Sequence, residues 1–555
     1  MERNTILAFV LCLVVLIIWF VMSPKQQDKV PVVEEPQGKQ ETAKTESSER
    51  AIPQPPITPE VERGELKKEI LPTKRETEKE ILVETPLYKA VFSNVGPTIK
   101  SFKLKNYQMT SDPDSPPVDM IDMKKSLIPF LQLDFDQGPN TGNKGDVYHV
   151  KETSLNLNPE SPPRDLVFSA TTPNGVTINQ TFRIYPDRFP IDITVDLSNN
   201  ATNDIEGNLK ATLRNYPPKD KKSYYSFIGL ALLLNDELET IAVKKIEEDQ
   251  IFSGRIGWVA YENDYFISAI IPDEQKTASF QGRYLSSGLL EAVYISPLTV
   301  IPAQRGLSVP FTIYLGPRDL SYLKPLQKKL ELAINFGWTD IIAKPLLYAL
   351  LFFHKYVKNY GVAIILLTIL IKMLFWPLTH KSYKSMKEMQ KLQPLMAKIR
   401  EKYKNNKEQM NKELMGLYKT YKVNPMGGCL PMLIQMPVFF ALFRILGSST
   451  ELRHAPFFLW INDLSAPDRL FHFSFQIPFM SPPYGIPILT LLMGASMFLQ
   501  QKMTPTPGDP SQAKIMMFLP IIFTFMFINF PSGLVLYWLT NNILSIGQQY
   551  RIKRS

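Results

Sequence analysis

The chain has 555 residues, 62 Lys and Arg against 53 Asp and Glu, and a net charge of +9, more than one hydrophobic core normally organises, so at least two separately buried units are expected. Its basic residues concentrate beside apolar windows, which accounts for the charge without nucleic acid and excludes a nucleic-acid function. The only two cysteines, Cys12 and Cys429, lie at opposite ends of the chain within apolar segments, which excludes a disulfide framework.

Residues 6–22 form an uncharged apolar run at the lower limit for crossing a bilayer. A cleavable signal peptide is the other reading, but Met22, Ser23, Pro24 and Lys25 offer no small-x-small cleavage pattern, so residues 1–22 are expected to be an uncleaved anchor. Residues 23–80 are rich in Pro, Glu, Lys, Gln and Thr, carry too little apolar surface to offset the entropy of ordering, and are expected to be a disordered tether.

Residues 81–335 change texture. Short alternating runs, such as 176–182 and 191–197, are separated by turn residues, which predicts a large all-β domain of the sandwich class. His149 is its only histidine, and no glycine-rich phosphate loop or paired metal motif accompanies it, so neither an enzyme nor a cofactor or metal site is expected. Residues 336–354, with aromatics, isolated charges and Pro345, predict an interfacial helix.

Five apolar windows follow within 355–555, at 356–378, 425–446, 486–503, 515–528 and 533–547. With the anchor they make six transmembrane helices and place both termini on one side. Between the second and third spans stands a Lys-rich segment, and Arg3, Lys502, Lys514, Arg551, Lys553 and Arg554 mark the same side, which the positive-inside rule makes cytoplasmic. The β domain and the loop 448–484 then face the opposite side, the periplasm of a bacterial inner membrane.

The Lys-rich segment 380–424 carries Met386, Met389, Leu392, Met396, Ile399 and Tyr403 at helical spacing, repeated by Met410, Leu414, Leu417 and Tyr421. Two amphipathic helices in an antiparallel hairpin are predicted, with Pro394 interrupting the first. The methionines either pack against one another or form an adaptable landing surface for apolar partners.

Lys372 is the only charge between Lys358 and Lys381. A lysine at the bilayer centre costs about 2.5–3.5 kcal/mol, so it either snorkels toward the cytoplasmic interface or lines a polar cavity. Thr368 lies one turn before it, Gln435 in the third span, and Tyr537, Asn541 and Asn542 in the last; polar side chains at membrane depth face protein or water.

The stretch from Asn424 to Pro437, NPMGGCLPMLIQMP, and the stretch from Phe530 to Trp538, FPSGLVLYW, resemble the motifs of the YidC/Oxa/Alb insertases. Trp376-Pro377-Leu378-Thr379, Leu392-Gln393-Pro394, Ala455-Pro456-Phe457 and Gln501-Lys502-Met503 match in the same order. An anchor followed by a large β domain is similar to the Gram-negative bacterial form, whose periplasmic domain is a supersandwich like that of sugar mutarotases. The resemblance implies five core helices around a hydrophilic groove open to cytoplasm and lipid. It further implies that nascent membrane proteins enter this groove, alone or with the Sec translocon, the accessory SecDF complex and the ribosome, and leave laterally into membrane lipids.

The family's central positive residue, usually arginine in bacteria, aligns with Lys372, which keeps the charge but loses the bidentate fork. In that groove Lys372 attracts an acidic tail, Thr368, Gln435 and Asn541 offer hydrogen bonds, and Met436, Tyr537 and Trp538 contact the entering helix. In the landing-surface reading, Met386, Met389, Met396 and Met410 are expected to form the hairpin docking surface. A secondary transporter or channel is the alternative, but it calls for internal repeats or acidic intramembrane residues that the sequence lacks.

Overall fold

A computed structural model describes residues 78–112, 114–123, 128–136, 147–172, 175–218, 227–246, 249–421, 423, 430–503 and 510–554. The expected anchor 1–22, residues 23–77 of the tether and the motif residues 424–429 lie outside the described residues.

Alternation along the chain builds the β domain. Val176–Ile184 and Ile191–Asn199, both expected as strands, pair antiparallel and bury every second side chain, with Phe182 opposite Ile193. They belong to a thirteen-stranded sheet; a second sheet of five strands runs, in spatial order, Pro117–Asp119, Thr98–Gln108, Tyr88–Ser93, Glu80–Glu84 and Ser154–Asn156. The two sheets share one core, in which Phe92 of the smaller sheet meets Phe182 of the larger edge-on at 5.5 Å.

The last strand, Gly306–Pro317, leads through a turn capped by Asp319, whose carboxylate accepts from Ser321 N at 2.7 Å, into the helical region. Arg318 sits buried at this join. Its guanidinium donates to Asn263 O at 2.6 Å and to Ala333 O, and lies 3.6 Å from the Glu262 carboxylate. Thr450 Oγ1 donates to Tyr265 O at 2.7 Å, and Arg453 donates to Met109 O at 3.0 Å, so the loop after the third expected span is stitched to the β domain by backbone-directed hydrogen bonds.

Seven helices longer than two turns follow among the described residues: α1 (Asp340–Val357), α2 (Tyr360–Lys402), α3 (Lys407–Thr420), α4 (Leu430–Ser448), α5 (Ile488–Met503), α6 (Pro510–Phe527) and α7 (Ser532–Arg554). Helix α1 occupies the place of the expected interfacial helix. It buries Ala343, Leu347 and Leu350 and turns Ile341, Tyr348, Phe352 and Tyr356 outward, an amphipathic distribution with aromatic residues on the free face. Lys358 in the left-handed region ends it, and the Asn359 side chain, accepting from Val362 N at 3.0 Å, starts α2.

The main departure from the sequence expectation is α2. The second span and the first arm of the hairpin are one helix of 43 residues, about 64 Å at 1.5 Å per residue, and Pro377 and Pro394 lie inside it. Each proline removes a single backbone hydrogen bond, whereas burial of Ile364, Leu367 and Ile371 before Pro377, of Thr379, Ser382, Met386 and Met389 between the prolines, and of Met396 beyond Pro394 holds the segments in one helix. The hairpin is therefore the distal part of α2 turning back into α3 through Tyr403–Asn406, where Asn406 caps α3 by accepting from Gln409 N at 3.0 Å. Among the described residues α2 is the one helix long and apolar enough to span a membrane by length and composition; shorter apolar helical segments occupy Gln435–Ser448 and Met517–Phe527.

Helix α7 packs against α2 and α5 along its length, and α5 lies on α6. Gly494 of α5 sits where an added Cβ would stand 2.1 Å from Thr524 Oγ1 of α6, so only glycine permits that approach.

Candidate functional site

Helix α7 carries Asn541, Ser545 and Gln548 at the i, i+4, i+7 spacing that places three side chains on one face, and all three are buried. That face lies on α2. Lys372, only 8% exposed, donates from Nζ to Ser545 Oγ at 2.6 Å and to Asn541 Oδ1 at 3.4 Å. Two turns further along α2, Gln548 Nε2 donates to Thr379 Oγ1 at 3.0 Å, and beyond it Lys387 Nζ donates to Ile552 O at 3.1 Å. The contact between the two helices is thus polar along most of its length, satisfied pair by pair.

Gln435 extends this network to α4. Its Nε2 donates to Tyr537 Oη at 2.9 Å, and its Oε1 accepts from Asn541 Nδ2 at 3.3 Å. A continuous chain of hydrogen bonds therefore runs Ser545, Lys372, Asn541, Gln435, Tyr537 across three helices. Lys372, Gln435, Asn541 and Thr379 also line a small cleft whose apolar wall includes Phe375 and Leu378. No carboxylate pairs with Lys372 among the described residues; its ammonium is held by neutral oxygens alone.

The remaining expected site residues divide. Thr368 is buried one turn from Lys372, but its hydroxyl donates back to Ile364 O at 2.7 Å, so its proton is spent within α2. Met436 is half-buried next to Gln435. Trp538 leaves the polar chain for an aromatic cluster, 5.1 Å from both Phe439 and Phe527 and 6.0 Å from Phe523. Asn542 points to another interface, donating to Ser496 Oγ of α5 at 2.9 Å.

Ser545, Thr379 and Gln548 were not expected from the sequence. Ser545 and Gln548 continue the polar stripe that Asn541 begins on α7, a pattern visible in the sequence, whereas Thr379 on α2 is marked only by its contact with Gln548.

In the hairpin, Met389, Leu392 and Met396 of α2 close a buried cluster with Leu414 of α3 and Val423, and Met410 packs against its edge. Met386 is also buried. Met389 and Met396 face inward, so a partner reaches them only if α3 lifts from α2, whereas Met410 is half-buried; the hairpin's outward apolar side chains include Leu395, Met415 and Tyr421.

Comparison with known proteins gives these arrangements a family. A model described as the YidC periplasmic domain matches residues 80–349, and one described as the 60Kd inner membrane protein matches residues 352–555. The membrane protein insertase YidC of Syntrophobacter fumaroxidans is 42% identical over 489 residues, covering 85% of this chain and 86% of that protein. That of Pelobacter propionicus is 40% identical over 573 residues, covering 100% and 99%. A crystal structure of an active YidC insertase with its first transmembrane domain resolved is 19% identical, covers 86% of this chain and 93% of its own, and superposes with a TM-score of 0.38. The chain belongs to the YidC family of membrane protein insertases, non-enzymatic inner-membrane proteins with a periplasmic β domain that insert other proteins into the bilayer.

Proposed function

We propose that the cleft between α2, α4 and α7 is where this insertase receives the polar end of a nascent membrane protein. The observation that carries this reading is the buried Lys372 ammonium, hydrogen-bonded to Ser545 and Asn541 with no carboxylate partner among the described residues. A structural salt bridge would have neutralised the charge; neutral acceptors hold it in place and leave it available to an incoming anion.

A client carboxylate at about 4 Å from Lys372 gains roughly 4 kcal/mol at an effective dielectric near 20, comparable to the cost of bringing one charge to membrane depth. Gln435 and Asn541 offer amide hydrogen bonds that replace part of the lost hydration, while Met436, Tyr537 and Trp538 present the apolar side. When the client's apolar segment passes into lipid, its transfer free energy makes departure favourable, so the cycle needs no nucleotide. Thr368 contributes an acceptor lone pair only.

In this reading the chain has six spans, formed by 6–22, the first half of α2, α4, α5, α6 and α7. Both termini and the Lys-rich hairpin are cytoplasmic, and the β domain lies in the periplasm on the side of Thr450 and Arg453. Met386, Met389, Met396 and Met410 keep the hairpin closed at rest and meet a client when it opens. Translating ribosomes suit the basic hairpin and tail electrostatically, and the Sec translocon with SecDF supplies clients that need both routes.

Photocrosslinking from positions 435 and 537 to a stalled nascent membrane protein tests the reading. Adducts at both positions are expected; their absence at both, with adducts from a probe at the exposed Ile251 of the β domain, would overturn it.

A further inference from the structure

From Leu470 to Leu489 the sequence contains no Asp, Glu, Lys or Arg, yet the structure places this segment on the surface. Leu470–Phe473 and Tyr484–Ile486 pair as a short antiparallel ribbon, and Phe471, Phe475 and Phe479 are 68%, 62% and 87% exposed. An uncharged segment that exposes three phenylalanines within nine residues marks an interaction site in a way that a scattered exposed leucine does not.

The segment is held rather than loose. Arg469 donates from Nε to Pro483 O at 2.9 Å, from Nη1 to Ile528 O at 2.9 Å and from Nη2 to Asn529 Oδ1 at 3.3 Å. Asn529 in turn accepts from Ser481 N and donates to Phe479 O, each at 2.8 Å. Phe471 and Phe479 take positive φ values of 54° and 64°, a region bulky side chains rarely occupy, so the surrounding bonds fix the rings in an outward setting that the residues would not choose by themselves.

Asn529 and Ile528 follow directly on α6, and Ile488 begins α5, so the ribbon sits at one end of that helix pair. The outward faces of the pair carry Leu491, Leu492, Phe518, Ile522 and Phe525. The exposed phenylalanines extend this apolar band at its end, where aromatic side chains collect at a membrane–water interface.

We infer that the ribbon of residues 470–486 docks into the outer leaflet of the lipid bilayer, with Phe471, Phe475 and Phe479 seated at the level of the headgroups and upper acyl chains. The inference rests on the topology proposed above, in which α5 and α6 span the membrane. Lipid is the occupant because the surface is continuous with a lipid-facing one and lacks the charges that a protein rim supplies. Anchoring this end would keep α5 and α6 upright beside the cleft while a client moves past.

A benzophenone amino acid placed at 475 or 479 of the full chain, in vesicles of phosphatidylethanolamine and phosphatidylglycerol, tests this. Position 518 serves as the span reference and the exposed Ile251 of the β domain as the aqueous one. Lipid adducts at 475 and 479 are expected at a yield similar to 518 and about tenfold above 251. Adducts at 518 with only background at 475 and 479 overturn the ribbon's role and leave the topology standing; crosslinks to a second copy at 475 and 479 also overturn it, in favour of self-association. Background yield at all four positions overturns both.

Discussion

Lys372 Nζ lies 2.6 Å from Ser545 Oγ, and the same hydroxyl donates to Asn541 O at 2.7 Å. The serine proton is thus turned into its own helix and its lone pairs are turned toward the ammonium. The hydroxyl oxygen solvates the ammonium without cancelling its charge, which is the property the proposed receptor for acidic tails needs and a purely structural contact does not.

Lys372→Ala is expected to reduce insertion of clients with acidic translocated tails by about tenfold or more, and Lys372→Arg to retain it, because the charge rather than the ammonium shape is used. Reconstituted vesicles and a protease-protection assay read this directly. Equal insertion of acidic and neutral tails by the alanine variant would remove the charge from the mechanism.

Tyr537→Phe removes the acceptor of the Gln435 amide and leaves a polar group unpaired between α4 and α7. A loss of about 1–3 kcal/mol in thermal stability is expected. Gln435→Leu in the same background should restore only part of it, since the Gln435 donor is gone but the Asn541 amide loses its Gln435 acceptor, while insertion stays impaired. Recovery of insertion along with stability would show that the amide serves packing alone.

The sequence carried the β domain through period-two alternation, clear in 176–182 and 191–197 because one face of each strand is buried. It carried Lys372, Gln435 and Asn541 because ionisable and amide groups are conspicuous in apolar windows. It did not carry Ser545, which is ordinary in composition: only the packing of α7 on α2 makes it a hydrogen-bond partner of Lys372. Nor did it separate Asn541 from Asn542, whose adjacent positions on one helix point to different neighbours, α2 and α4 for the first and α5 for the second. The continuity of α2 through Pro394 was hidden for a related reason: local propensity marks a break that tertiary burial overrides.

Met396 and Met415 separate the two uses of the hairpin. Met396 is buried between the arms, within 3.9 Å of Tyr418 Oη, whereas Met415 faces outward. Met396→Ala should destabilise the α2–α3 pairing by about 2–5 kcal/mol and speed proteolysis near Tyr403–Asn406, while Met415→Ala should change stability by no more than about 0.5 kcal/mol. If Met415→Ala instead lowers client crosslinking and Met396→Ala does not, the landing surface is the outward face and the buried methionines are only packing.

Glu451 provides the pH-dependent prediction. It is half-buried at the join between the β domain and the helices, beside Arg318 and Ser449, with one carboxyl oxygen shut off from solvent and without a hydrogen-bond partner. Burial, with Asp319 nearby adding to it, pushes the carboxyl from its ordinary 4.5 up to about 8. The folded chain then holds a proton that the unfolded chain releases, so between those two values the folded state binds more protons and its stability falls as pH rises. Below pH 4.5 the contribution is flat. Thermal unfolding of the full chain in detergent should therefore decline from pH 5 to 8, and Glu451→Gln, a permanent mimic of the protonated form, should flatten the decline and raise stability at pH 8. A glutamine variant that keeps the full decline would place the titrating group elsewhere in the join, with Glu262, buried beside Arg318 and likewise shifted upward by burial, as the next position to substitute.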